Sequence, residues 1–109
     1  MAEKRGPITQ TVVIKVNEEG DFDYENGLIW VLPGDTIVWE CENKYPFSIH
    51  FGWDSPLKQG RFQSENGNSK DTVVPDNARP GYYRYTVAVL RDEKIWTDDP
   101  ELIVKKPKR

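Results

Sequence analysis

Two side chains in this sequence could ligate a soft metal or serve as a nucleophile and its base: Cys41 and His50, each the single residue of its type. Such a pair needs the imidazole within hydrogen-bond reach of the thiol and a third group to orient it. A hairpin turning through residues 42–46 would set Cys41 opposite a residue near Phe47, and His50 opposite one near Val38. The two would then stand several residues out of register, with no orienting group evident. Cys41 is expected to be a small strand residue, and His50 a residue on a sheet face.

Carboxylates offer the next candidate chemistry. Glu18, Glu19, Asp21, Asp23 and Glu25 form the densest acidic cluster and raise the prospect of a cation site. An EF-hand loop requires Gly at its sixth position and Glu at its twelfth. Counted from Asp21, those positions hold Asn26 and Leu32, so that motif fails. The expectation is an acidic solvent face on an edge hairpin, where charge discourages unwanted strand pairing. A looser oxygen-ligand site stays open at this point. Asp98-Asp99 precedes Pro100 in a turn, where solvation explains the pair without catalysis. No Gly-rich phosphate loop leads from a strand into a helix.

Aromatic residues are the remaining signal: Trp30, Trp39, Trp53 and Trp96, with Tyr45, Tyr82, Tyr83 and Tyr85. Trp39 sits in a β-branched run and is expected in the core. Trp30 falls on the face opposite Ile29 and Val31, while Trp53 and Trp96 lie beside turns. Those three either cap the ends of a small core or stand exposed, where a ring can stack on a sugar or anchor a partner.

The elements that carry these residues read as strands. From Ile8 to Asn17, apolar residues at 8, 12, 14 and 16 recur with the period of two that marks a half-buried strand. Phe22 and Tyr24 alternate with acids, Asn26-Gly27 is a hairpin turn signal, and residues 28–31 follow as a strand. Leu32-Pro33-Gly34-Asp35 is a tight turn feeding Thr36-Ile37-Val38-Trp39. Further strands are expected at 47–51, 70–74, 82–90, 95–97 and 101–105, and a long connection over 52–70. Tyr83, Tyr85, Val87 and Val89 should share one face. No helical period of useful length occurs, so the fold class expected is an all-β sandwich of about seven to eight strands.

The order of these pieces resembles the cupredoxin, or blue-copper, family over roughly residues 22–104. Its members carry an aromatic, an I-x-V strand and an x-x-G-D-T-V-x-W motif. Tyr24, then Ile29-Trp30-Val31, then the run from Leu32 to Trp39 occupy those places. Pro46-Phe47-Ser48-Ile49-His50-Phe51 stands where a Pro-His pair and an extended strand normally follow. Pro80-Gly81-Tyr82-Tyr83-Arg84-Tyr85-Thr86-Val87 matches the late P-G-x-Y-x-(Y/F)-x-C motif up to its cysteine, and Leu102-Ile103-Val104 suits the final strand. The resemblance implies a Greek-key β-sandwich with a copper site at one end. A blue-copper site takes two His, one Cys and a weak axial Met. By motif, the first His position holds Phe47, the Cys position Val87, and the second His falls near Leu90. The axial ligand would fall within residues 92–96, which lack Met. A cupredoxin-like domain without copper or other cofactor, and without electron transfer, is therefore expected.

Bulk properties bound the rest. A chain of 109 residues is one domain, with residues 8–105 as the sandwich and 1–7 and 106–109 as basic tails. Setting aside residues 1–5 and 105–109 leaves nine basic against 17 acidic residues, a net charge of −8. An acidic body does not suit nucleic acid, which demands a basic face. No apolar run is long enough for a membrane helix, and Met1 to Pro7 lacks a secretory h-region. With the one Cys excluding an internal disulfide, a cytoplasmic setting is expected. The function expected is a non-catalytic module that binds another protein. Its surface would be the end where the family's metal loops lie: Tyr45, Pro46, Phe47, Leu90, Arg91 and Trp96, with Trp53 nearby. The alternative is a carbohydrate- or small-ligand-binding sandwich using Trp30, Trp53 or Trp96.

Overall fold

The computed structural model describes residues 6–27, 29–52, 54–65 and 72–106, and eleven strands lie among them. One sheet has the order β2 (Phe22–Glu25), β1 (Thr9–Val16), β4 (Thr36–Cys41), β7 (Thr72–Val73). Strands β1 and β4 run parallel, with Val12 opposite Trp39 and Ile14 opposite Cys41. The period of two in both strands places Val12, Ile14, Val16, Ile37, Trp39 and Cys41 on the buried face.

The second layer is built on one long hairpin. Strands β8 (Gly81–Arg84) and β9 (Thr86–Arg91) lie against β11 (Glu101–Val104) and β10 (Lys94–Asp98). A single register runs from Lys94 opposite Arg91 to Val104 opposite Gly81. The ladder breaks only around Tyr85, whose N–H still donates to the Pro100 carbonyl at 3.1 Å. Asp92 and Glu93 both take positive φ, at 55° and 63°, the backbone of a two-residue primed turn. Flanking the hairpin, β3 (Ile29–Val31) pairs in parallel with β11. On its other side β9 pairs with β5 (Phe47–His50), and β5 with β6 (Arg61–Gln63). Tyr83, Tyr85, Val87 and Val89 are all buried, on one face as their alternation predicted.

The two layers enclose one apolar core, with Trp39 at its centre. Its ring meets Phe62 at 5.8 Å and the edge of Tyr85 at 5.7 Å, and its Nε1 donates to the Tyr85 hydroxyl at 3.3 Å. The turn before Trp39 is held by Asp35, the one buried charged residue among those described. Its carboxylate accepts from the backbone N–H of Leu32 (3.0 Å) and of Ile8 (3.2 Å). Its own N–H donates to the Leu32 carbonyl, and its carbonyl accepts from Val74. Gly34 takes φ +96°, which the turn requires. The Gly-Asp-Thr sequence thus clamps β1, β4 and the β7 segment together.

Three sequence expectations change. Strands β4 and β5 do not form a hairpin; the 3-10 turn Glu42–Lys44 carries the chain from one sheet to the other, so Cys41 and His50 belong to different layers. The 52–70 connection contains a strand, β6, on the edge beyond β5. The strand count is eleven because the strand expected at 82–90 is divided at Tyr85 and β6 is added to those the sequence outlined. Trp53 and the residues at 1–5 and 107–109, like Leu28 and the start of the 70–74 strand, lie outside the described residues.

Candidate docking site at the β4–β5 end

Six of the seven residues predicted to form a site meet at one end of the sandwich. The β4–β5 connection supplies Tyr45, Pro46 and Phe47, the end of β9 supplies Leu90 and Arg91, and β10 supplies Trp96. Register brings them together: Phe47 and Trp96 both stand opposite Val89, and the Leu90 N–H donates to the Pro46 carbonyl at 2.8 Å. The seventh, Trp53, lies outside the described residues.

These six split between two faces. Phe47 is buried and Trp96 half-buried on the inner face. A Cβ on Gly20 would lie 2.3 Å from the Trp96 ring, so the ring is seated directly on the β1–β2 turn. Trp96 Nε1 is buried and has no hydrogen-bond partner among the described residues. Tyr45 and Arg91 close the end. The Arg91 guanidinium lies 5.3 Å from the Tyr45 ring centroid, pairs with Asp92 at 3.4 Å, and donates through Nη1 to the Val16 carbonyl. Arg91 sits on the second layer and Val16 on the first, so this one side chain ties the layers together at this end.

The outer face carries what a partner could touch. Leu90 stands opposite Ile95, and Pro46 continues the row on the other side of Leu90. Leu90 is 44% exposed and Ile95 71%. Ile95 escaped the sequence reading, although its alternation with Trp96 after the charged turn was signal enough to place it outward. The next rows down this face, Gln63–Ser48–Ala88–Thr97 and Arg61–His50–Thr86–Asp99, are small or polar. The apolar row is therefore confined to the end of the sheet.

His50 and Cys41 do not converge. Cys41 is buried at the β4–β5 end of the first layer, whereas His50 is exposed three residues down β5 in the second, about 10 Å along the strand. Burial pushes the Cys41 thiol up to about 11, further raised by Glu42 and partly offset by a backbone hydrogen bond from Tyr45. A thiol so placed is a poor nucleophile at neutral pH. Among the described residues no three His, Cys, Asp or Glu side chains are grouped to hold a metal ion. With one His in the whole chain, its own side chains do not fit a two-imidazole, one-thiolate copper centre.

The acidic hairpin is the edge that its sequence suggested. Strand β2 is outermost in its sheet, with Asp23 and Glu25 exposed. Glu25 pairs with Lys15 at 3.2 Å, and the Asn17 side chain accepts from the N–H of Glu19 and Asp21 at 2.9 Å each. A different acidic contact closes the side of the sandwich. The Tyr24 hydroxyl on β2 donates to Asp98 Oδ2 on β10 at 2.6 Å. Burial, then the Asp98 carboxylate, raises the Tyr24 hydroxyl well above its ordinary 10.

Neither a family model nor a curated protein sequence matches the chain. Solved structures do. A Met-to-Gln variant of amicyanin in the copper(I) state shares 16% identity at a TM-score of 0.51, over 87% of this chain and 82% of that one. A Pro-to-Phe variant of amicyanin in the reduced state gives the same figures. The copper(I) form of a Met-to-Ala variant gives 17% identity and a TM-score of 0.50 over 93% and 84%. At such identity the likeness concerns the backbone alone, and it agrees with the strand order and the clamped Gly-Asp-Thr turn: the chain has a cupredoxin-like fold.

Proposed function

We propose that this domain is a copper-free cupredoxin-like module that binds another protein, without catalysis or electron transfer, through the outer face of the β4–β5 end. The observation that carries this reading is the row Pro46, Leu90 and Ile95, apolar and exposed on the β4–β5 connection and on β9 and β10, with small or polar rows beyond it. Exposed apolar side chains in a contiguous patch mark interaction sites more often than scattered ones do. Tyr45, Arg91 and Trp96 then act as support rather than as contacts, because each is committed to closing the layers. Phe47 is the floor. A cytoplasmic setting belongs to this reading, supported by the single buried thiol.

The test uses Leu90→Glu and Ile95→Glu, which change exposed side chains and should leave the fold intact by near-ultraviolet circular dichroism. Affinity purification from native cells should recover a partner with the wild-type chain and with a chain lacking the basic termini, and lose it with either charge variant. Binding that follows the termini instead would sink the reading. Metal analysis of the purified protein should find no stoichiometric copper, and stoichiometric copper would refute the metal-free half.

A further inference from the structure

Among the described residues β10 pairs with β9 alone, so its other side is an open edge of the second layer. The Leu90 N–H donates to Pro46 on the far side of β9. Leu90 and Ile95 are therefore a pair without mutual hydrogen bonds, and in an antiparallel ladder such pairs alternate with bonded ones. It follows that the backbone N–H and C=O groups of Ile95 and Thr97 point away from β9, toward the open edge. Both side chains are exposed on the outer face, Ile95 at 71%.

The residues of this edge are arranged symmetrically about its midpoint. Lys94 and Asp98 lie two positions to either side of Trp96 and on the same face as it. A second β10 laid antiparallel, with a two-fold axis at Trp96, sets Lys94 of each copy opposite Asp98 of the other. Asp98 gives Oδ2 to the Tyr24 hydroxyl, which leaves Oδ1 to accept the ammonium. The same register sets Ile95 opposite Thr97, so their outward backbone groups meet as hydrogen-bonded pairs on both sides of the axis. On the outer face the two Ile95 side chains become diagonal neighbours about 7–8 Å apart, within reach of each other.

No other outermost strand offers this match. Strand β2 carries acids only, Asp23 and Glu25, so a second copy would set like against like. Strands β6 and β8 carry one arginine each, Arg61 and Arg84, and β3 and β7 carry no charge. The Trp30 carbonyl on β3 is also taken by the Gln10 side chain at 2.7 Å. Asp23 and Glu25 share the outer face of the first layer with Lys15, turned away from the β10 edge. A lone lysine on an edge discourages pairing with an arbitrary strand. A carboxylate placed opposite it turns that device into selection for one partner in one register.

We propose that β10 is a self-association edge, through which two copies of this chain join antiparallel about a two-fold axis at Trp96. The contact is isologous, and it merges the second layers of both copies into one continuous sheet. The outer faces stay open, so Pro46 and Leu90 remain uncovered while Ile95 serves both the pairing and the docking row. The pairing rests on the backbone edge and its charges, and stands or falls apart from the docking row.

Sedimentation equilibrium of the full chain over a concentration series tests this. Expected is a reversible monomer–dimer equilibrium with a Kd of roughly tens to hundreds of micromolar. Lys94→Glu sets like charges opposite each other twice and should weaken the dimer by about tenfold or more. Thr97→Pro removes an outward N–H without touching the β9 ladder, and should do the same while keeping wild-type circular dichroism. Leu90→Glu should dimerise as the wild type does. Register is read by mixing chains that carry Ile95→Cys with chains that carry Thr97→Cys under diamide. Opposed positions lie about 5.5 Å apart at Cα, within disulfide range, so the mixture should cross-link and either variant alone should not. Cys41 is buried and stays out of the reaction. The proposal is overturned by a monomer persisting to about 1 mM, or by a dimer that neither Lys94→Glu nor Thr97→Pro weakens. It is equally overturned by a dimer that Leu90→Glu dissociates, or by either cysteine variant linking to itself faster than the mixture links.

Discussion

Replacing Tyr24 with Phe removes one oxygen atom and should change both the stability of this domain and its response to alkali. The lost bond is short, 2.6 Å to a carboxylate, and joins the edge strands of opposite layers. A hydrogen bond to a charged group contributes about 1.5–3 kcal/mol, so Tyr24→Phe and Asp98→Asn should each lose roughly that at pH 7. Their double-mutant cycle should return a coupling of about 1 kcal/mol or more. Three groups have folded-state pKa values raised chiefly by burial: Cys41 from 9.0 to about 11, Tyr85 from 10.0 to about 12, and Tyr24 above 10.0. A raised pKa means the unfolded chain releases its proton first. Stability is then complete below the unfolded value and falls as pH rises past it, by about 1.4 kcal/mol per pH unit for each proton. Cys41 begins the loss near pH 9 and the two tyrosines join near pH 10, for a total of about 3–4 kcal/mol between pH 9 and 11 once solvent screening at the half-buried Tyr24 is discounted. Urea unfolding at stepped pH, read by tryptophan fluorescence, measures this directly. Tyr24→Phe should be less stable than wild type at pH 7 yet lose less than wild type between pH 9 and 11, by about 0.5–1 kcal/mol after screening at this half-buried site. A variant whose stability falls in parallel with wild type over that window would refute the assignment of a raised pKa to Tyr24.

Three further substitutions probe the supports of the fold and of the docking end. Gly20→Ala forces a side chain onto a backbone at φ +88° and 2.3 Å from the Trp96 ring. Left-handed strain of about 1–2 kcal/mol and overpacking of about 1–3 kcal/mol should together destabilise by about 2–5 kcal/mol, with a shifted Trp96 emission maximum. Asp35→Ala withdraws the acceptor of the Leu32 and Ile8 N–H groups, and chemical denaturation should register a loss of about 2–4 kcal/mol. Arg91→Lys keeps the charge but not the planar fork that spans Tyr45 and the Val16 carbonyl. It should destabilise by about 1–3 kcal/mol, and amide exchange should rise at Val16 and Leu90 while the Asp35 clamp stays protected.

Where a pattern repeats within one strand, the sequence foretold the structure. The period of two along residues 9–16 and 82–90 names the core residues correctly, because a sheet buried on one face leaves no other register. The Leu32-Pro33-Gly34-Asp35 turn was legible because its chemistry is local. Pairing between strands was less so. Residues 42–46 look like a hairpin loop, and no nearest-neighbour signal distinguishes a chain that turns back on its own sheet from one that crosses to the facing sheet. The edge strand Arg61–Gln63 was missed for a related reason: a three-residue strand has too few positions to show a period. Trp96 was placed by its neighbour turn, but its burial depends on Gly20, which lies far away in sequence.

The most informative single residue at the candidate site is Arg91, because its three contacts hold this end of the sandwich together through one side chain. The guanidinium stacks on Tyr45 while reaching the first layer at Val16. Phe47 and Trp96 stand on either side of Val89 in one inward row beneath it. Leu90 and Ile95 do extend outward, on the two strands that flank the Asp92-Glu93 turn. The end whose layers are tied by side-chain packing is thus also the end that presents an apolar row outward.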